Sequence, residues 1–159
     1  MFSSSRQLLE KSFFRILNNY LEPLIRKGVG SPRLSPVGAI VLKTTGRKSG
    51  QTYTTPVLAS EVTNLLLIGT VRPRSQWIKN LAVTPQTQVW LRGEPLPVTA
   101  YVIGPGLTQS GAITPASPLV RFLIERLRPL SKLTGASFAV LEKQLPRPLS
   151  SRQDVALQL

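Results

Sequence analysis

Between Ala39 and Gly104 the chain is written in five short runs, "AIVLKTT", "TYTTPVLAS", "NLLLIGT", "TQVWLRG" and "LPVTAYVIG". Each is rich in β-branched residues and bounded by turn formers. Strands this short must pair with neighbours to satisfy their backbone groups, so the stretch predicts an antiparallel sheet or small barrel. The connections "GRKSGQ" and "EVTN" suit hairpin turns. One helical interruption, "SQWIKNLAV", puts Trp77, Ile78 and Leu81 on one face and points Gln76, Lys79 and Asn80 elsewhere. It ends before Thr84-Pro85, and "ASFAVLE", farther on, is the candidate for a last strand closing the sheet.

Helical periodicity flanks the β series. In "RQLLEKSFFRILNNYLEPLIRKG", Leu9, Phe13, Ile16, Leu17, Tyr20, Leu21 and Leu24 recur at helical spacing. Pro23 is expected to kink or end this helix, with Gly28 beyond it. The segment is too polar and interrupted to span a bilayer, and it lacks the pattern of a signal peptide. Two readings stay open. It covers the core, or it lies on an anionic membrane surface, with Arg6, Lys11, Arg15, Arg26 and Lys27 flanking its apolar face. A Gly/Pro/Ser linker, "GVGSPRLSPVG", follows. Residues 104–118 predict a loop at the edge of a site, and "PLVRFLIERLRPLSKL" a second basic helix, ended or kinked at Pro129.

Twenty Lys and Arg against seven Asp and Glu give a formal charge of +13. That balance favours an anionic partner: nucleic acid, an anionic lipid surface or a phosphate-bearing small molecule. Aromatics make up 6% and are not interleaved with the cations, which argues against nucleic acid. The chain has no Cys and no His, so a disulfide, a Cys/His zinc site, a Ser-His-Asp triad and a thiolate nucleophile are all excluded. Its carboxylates, Glu10, Glu22, Glu61, Glu94, Glu125, Glu142 and Asp154, include no close pair in sequence. An enzyme so poor in catalytic side chains needs a cofactor to carry its chemistry.

Two segments are suited to holding an anion. Gly46-Arg47-Lys48-Ser49-Gly50 combines flexible backbone N–H groups, two cations and a hydroxyl. It is not a Walker A loop, because Arg47 and Leu42 stand where that motif needs glycine. Alone, it reads as a solvated hairpin turn. In "GTVRPRSQWIKNL", Arg72 and Arg74 precede a helix start for which Ser75 is the expected N-cap.

Together, "TTGRKSGQTYTTP", "LLLIGT" and the W-x-x-N-L-x-x-x-P pattern at Trp77, Asn80, Leu81 and Pro85 resemble the deazaflavin-dependent nitroreductases and related oxidoreductases that use coenzyme F420. The resemblance covers about Leu17 to Ile103. It implies an antiparallel split β-barrel, mainly β with flanking helices, that binds F420 in a groove. Carried over by position, Arg47, Lys48 and Ser49 meet the anionic tail, while Thr54, Thr55 and Pro56 line the deazaflavin side. Gly69 and Thr70 end a strand beside the cofactor, and Trp77 and Asn80 sit on the helix that closes it. The chain departs from the pattern in its short "VRPRSQ" loop, around Tyr53, and in having no tyrosine cluster after Tyr101.

The expected organisation is an N-terminal amphipathic helix over 1–28, a split-barrel cofactor domain over 37–142 and a mobile basic tail over 143–159. The expected activity is hydride transfer from reduced F420 to a small apolar electrophile: a quinone, an activated alkene or a nitro compound. No catalytic side chain is assigned; Tyr53, Ser110 and Ser117 are the candidate proton donors. FMN or FAD is the alternative cofactor, and a non-catalytic binder of anionic lipid or nucleic acid the alternative function. A homodimer and an anionic membrane surface are further candidate partners. The expected location is the cytoplasm, with a peripheral position at the inner membrane face as a variant.

Overall fold

In the computed structural model, which describes residues 19–32, 36–72, 75–110, 115 and 117–144, the β series becomes six antiparallel strands. They are β1 (Val37–Thr45), β2 (Thr52–Val62), β3 (Leu65–Thr70), β4 (Gln86–Leu91), β5 (Glu94–Ile103) and β6 (Ser137–Lys143). Helix α1 (19–26) precedes them, α2 (Gln76–Val83) joins β3 to β4, and α3 (Pro118–Thr134) joins β5 to β6. The first seven apolar and basic positions of the N-terminal periodicity, Arg74 and the tail beyond residue 144 lie outside the described residues. Among the described residues no helix is long and apolar enough to cross a membrane.

The strands close into a barrel in the order β1-β2-β3-β6-β5-β4. Short turns set three of the seams, pairing Thr45 with Thr52, Val62 with Leu65, and Leu91 with Glu94. The β3–β6 seam runs from Leu65 opposite Glu142 to Thr70 opposite Ser137, so "ASFAVLE" does supply a closing strand. The barrel's narrowest seam is β1–β4, with two register pairs, Val41↔Trp90 and Leu42↔Val89, and a bond from Thr87 Oγ1 to Lys43 O at 2.5 Å.

Period-two alternation decides what fills the barrel. Ile40 and Leu42, Ala59, Leu66 and Ile68, Val89 and Leu91, Val98 and Ala100, and Ala139 and Leu141 point inward, and α2 plugs one end with Ile78 and Leu81. The opposite parity of β3, β5 and β6 forms a second apolar layer, including Leu65, Tyr101 and Val140, under Val120 and Leu127 of α3. There the Tyr101 hydroxyl donates to Glu142 Oε2 at 3.2 Å. Burial, and then the neighbouring carboxylate, push its pKa up to about 12.

Helix α1 lies against the outer parity of β2 and β4. Thr54 Oγ1 donates to Glu22 Oε1 at 2.9 Å, and the Arg26 guanidinium sits 4.2 Å from the Trp90 ring centroid. Arg26 also pairs with Glu22 at 2.6 Å, so one i,i+4 pair spans both strands.

Neither proline ends its helix, one of the two outcomes expected of each. Helix α1 passes through Pro23 and ends at 26, and α3 passes through Pro129 to Thr134. Pro129 faces solvent, where water can take the carbonyl that loses its donor, while Leu127 and Ser131 on either side are buried against the sheet. The helix instead ends at Gly135, whose φ of 71° is left-handed and whose N–H bonds Ser131 O at 2.8 Å.

Candidate active site

The inward parity of β1 continues past Ile40 and Leu42 to Thr44, which is buried at the end of the barrel that α2 closes. On β2 the inward positions before Val57 are Thr55 and Tyr53. With the turn that joins these strands, and with Gln76, Trp77 and Asn80 of α2, they bound a groove of about 550 Å³. Arg47 and Lys48 are its charged residues, and no carboxylate lines it among the described residues.

The turn is tightly built. Gly46 N–H bonds Gln51 O and Gly50 N–H bonds Gly46 O, both at 2.7 Å. Ser49 Oγ and the Tyr53 hydroxyl share a hydrogen bond of 3.1 Å. A Cβ at Gly46 would stand 2.5 Å from Ser49 Oγ and 2.7 Å from the Tyr53 ring, so any larger residue there must displace these two side chains.

Helix α2 holds the turn from the other side. Asn80 Oδ1 accepts from the Arg47 backbone N–H at 3.3 Å and from its guanidinium at 3.4 Å, and Gln76 Oε1 accepts from the same guanidinium at 2.8 Å. Asn80 Nδ2 reaches Thr44 Oγ1 at 3.5 Å. Arg47 is therefore fixed in orientation while keeping further donors for a ligand, which suits it to bind a planar anion. Lys48 forms no ion pair among the described residues.

Of the ten residues expected to bind the cofactor, six line this groove: Arg47, Lys48, Ser49, Thr55, Trp77 and Asn80. Four do not. Thr54 and Pro56 have the outer parity of β2, Thr54 bonded to Glu22 and Pro56 opposite Val41. Gly69 lies against Phe138, whose ring would be 3.0 Å from a Cβ there. Thr70 Oγ1 bonds Ser75 Oγ at 2.9 Å, so Ser75 holds the N-cap position of α2 but its hydroxyl makes no cap bond. Arg72 does not line the groove; its N–H donates to Thr70 Oγ1. Of the candidate proton donors, Tyr53 lines the groove, and Ser110 and Ser117 do not.

Asn80, which helical spacing puts off the face of Trp77, Ile78 and Leu81, is nonetheless only 5% exposed. It lies on the side of α2 that meets the hairpin turn, a contact no local spacing reveals. Thr44 and Gln76 were not singled out, although the alternation of "AIVLKTT" already puts Thr44 in line with Ile40 and Leu42.

Residues 25–108, which contain every groove residue, match the family described as F420H(2)-dependent quinone reductase. The chain belongs to this family. This F420H2-dependent reductase is accordingly an oxidoreductase whose cofactor is coenzyme F420. No curated protein matches its sequence. Among solved structures, the F420-H2 dependent reductase FDR-A is 18% identical, covering 67% of this chain and 94% of its own, with a TM-score of 0.41. HutZ, the heme storage protein of Vibrio cholerae, is 13% identical over 68% of this chain and 82% of its own, also at 0.41. Likenesses this low say nothing of the reductase's chemistry.

The donor set fits a polyanionic cofactor. Two cations and a serine hydroxyl line a groove with no carboxylate among the described residues, and the partly buried Trp77 offers an aromatic wall.

Proposed function

We propose that the groove between the β1–β2 turn and α2 binds F420, with Arg47, Lys48 and Ser49 holding its anionic tail. The proposed substrate is a small apolar electrophile, a quinone in the first place, with activated alkenes and nitro compounds in the same class. The observation carrying this reading is the anchoring of Arg47 to Gln76 and Asn80 in a groove with no carboxylate among the described residues. When bound, reduced F420 supplies the hydride. Trp77 and Thr55 orient the flat ring, and the fixed Arg47 reduces the ordering cost of binding. The Tyr53 hydroxyl, held by Ser49, is the group placed to hold a proton.

Titration with F420, FMN and FAD, followed by fluorescence, tests the assignment. F420 should bind most tightly, and Arg47→Ala/Lys48→Ala should weaken it by about 100-fold or more, two charge-assisted contacts being lost. Oxidation of F420H2 by menadione tests the substrate class. Tighter FMN binding, or an unchanged affinity in the double variant, overturns the reading.

The membrane reading of the N-terminal helix has one observation in its favour: Tyr20 and Leu24 of α1 are 75% and 49% exposed. Co-sedimentation with phosphatidylglycerol vesicles, abolished in Tyr20→Ser/Leu24→Ser, tests that extension.

A further inference from the structure

Strand β5 runs past the start of β4: Ala100 N–H bonds Pro85 O at 2.8 Å, but the proline has no N–H to return to Ala100 O, and Val102 lies beyond the pairing. The Gln109 side chain takes the missing place, accepting from Val102 N–H at 3.2 Å and donating to Ala100 O at 2.6 Å. This fastens the 104–109 loop along β5 and leaves a cavity of about 1000 Å³ between that loop and α3. It shares no lining residue with the F420 groove. Its volume is at the top of the range of small-molecule sites.

The unused groups of this cavity define what it can take. Its neutral polar groups are largely committed inside the protein: Tyr101 to Glu142, Ser131 Oγ to Ala136 O at 2.7 Å, and both ends of the Gln109 amide to β5. Val102, Ile103, Leu107 and Ile124 give it an apolar wall. Arg121, Arg128 and Lys132 remain, on one flank of α3 at positions i, i+7 and i+11. Arg121 Nε donates to Pro115 O at 3.3 Å, and none of the three forms an ion pair among the described residues. Glu125 is the single acid in the lining, so cations exceed acids by three to one. Like charges gathered at an apolar cavity repel one another, and an anion relieves that repulsion.

We propose that this cavity is a second binding site, for an amphipathic anion: an apolar chain or ring ending in a carboxylate or phosphate. The apolar body lies against Leu107 and Ile124, and the head meets Arg128 and Lys132.

Calorimetry with the full chain saturated with F420 tests this, using laurate, dodecyl phosphate and dodecanol as probes, with phosphatidylglycerol vesicles as a separate arm. Laurate and dodecyl phosphate should bind saturably at one per chain, and dodecanol about tenfold more weakly or worse. Arg128→Ala/Lys132→Ala should lose about tenfold or more for laurate, whereas Arg126→Ala, which removes an exposed α3 cation outside the lining, should stay within about threefold. Both cavity cations are exposed, and the charge-retaining Arg128→Lys/Lys132→Arg should keep most of the affinity, which separates charge from folding. Absence of saturable binding, equal affinity for dodecanol, or an equal loss in Arg126→Ala overturns the proposal. So does binding to vesicles without binding of free laurate, which would put the anion at a bilayer surface rather than in the cavity.

Discussion

Replacing Asn80 with alanine removes the side chain that ties the first hairpin turn to α2. Its three hydrogen bonds, at 3.3, 3.4 and 3.5 Å, are long, so each contributes only about 0.5 kcal/mol net. The greater cost is the Arg47 N–H left without its acceptor, about 1–2 kcal/mol, reduced where groove water reaches it. Counting deserted groups rather than adding bonds to them gives a loss of about 1–2.5 kcal/mol, or about 2–10 °C in Tm for a chain of this size. Arg47 keeps its 2.8 Å bond to Gln76, so its guanidinium is loosened but not released. F420 should therefore bind about 3–10-fold more weakly. Asn80→Asp separates the two effects. It keeps an acceptor for Arg47, so stability should stay within about 1 kcal/mol, but it puts a carboxylate in an acid-free groove and should weaken F420 by more than about tenfold. Urea denaturation and fluorescence titration measure both quantities. An unaltered melting point and affinity in Asn80→Ala, or native affinity in Asn80→Asp, would refute this account of the groove.

Strand parity makes a second prediction: Thr54→Val should leave F420 affinity within about twofold, while Thr55→Leu, on the groove side, should reduce it about tenfold. Glu61, which pairs with both Arg92 and Lys143, ties β2 to β6 and to the β4–β5 turn; Glu61→Gln should lower unfolding free energy by about 1–3 kcal/mol in urea titrations, with no effect on F420 affinity. Tyr101 gives a pH signature. Its folded pKa of about 12 exceeds the ordinary 10.0, so its contribution is complete below pH 10 and is lost as pH rises towards 12, where the unfolded chain ionises first. The stability difference between the native chain and Tyr101→Phe should shrink across that window; a difference constant with pH contradicts the shift.

Elements governed by neighbours in sequence were legible from it. The runs "AIVLKTT" and "TYTTPVLAS" carry their own alternation, and "GRKSGQ" its own turn chemistry, so strands and hairpin followed directly. The groove was half legible: the cationic turn could be read, but the parity that parts Thr55 from Thr54 depends on which face of β2 meets the core. The burial of Asn80 rests on a contact with Arg47, 33 positions away in sequence. That α3 does not end at Pro129 has a related reason, because the packing of Leu127 and Ser131 outweighs one missing backbone bond. Arg26 stacked on Trp90 was likewise invisible, since helical periodicity gives the direction of a side chain but not the strand it meets.

The two-rung seam between β1 and β4 also imposes an order in time. The hairpins close over a few residues each, whereas Val41 must find Trp90 across two intervening strands and a helix, so the seam zips late and is the first place to fray. Helix α1, reaching from Thr54 to Trp90, works as a clasp over that join: it can fasten only after the ring is complete, and it then slows reopening. Leu42, one of the two rungs, stands two residues from Thr44 in the wall of the groove. The seam expected to open first therefore runs beside the groove, linking how long the ring stays shut to how long the groove keeps its shape.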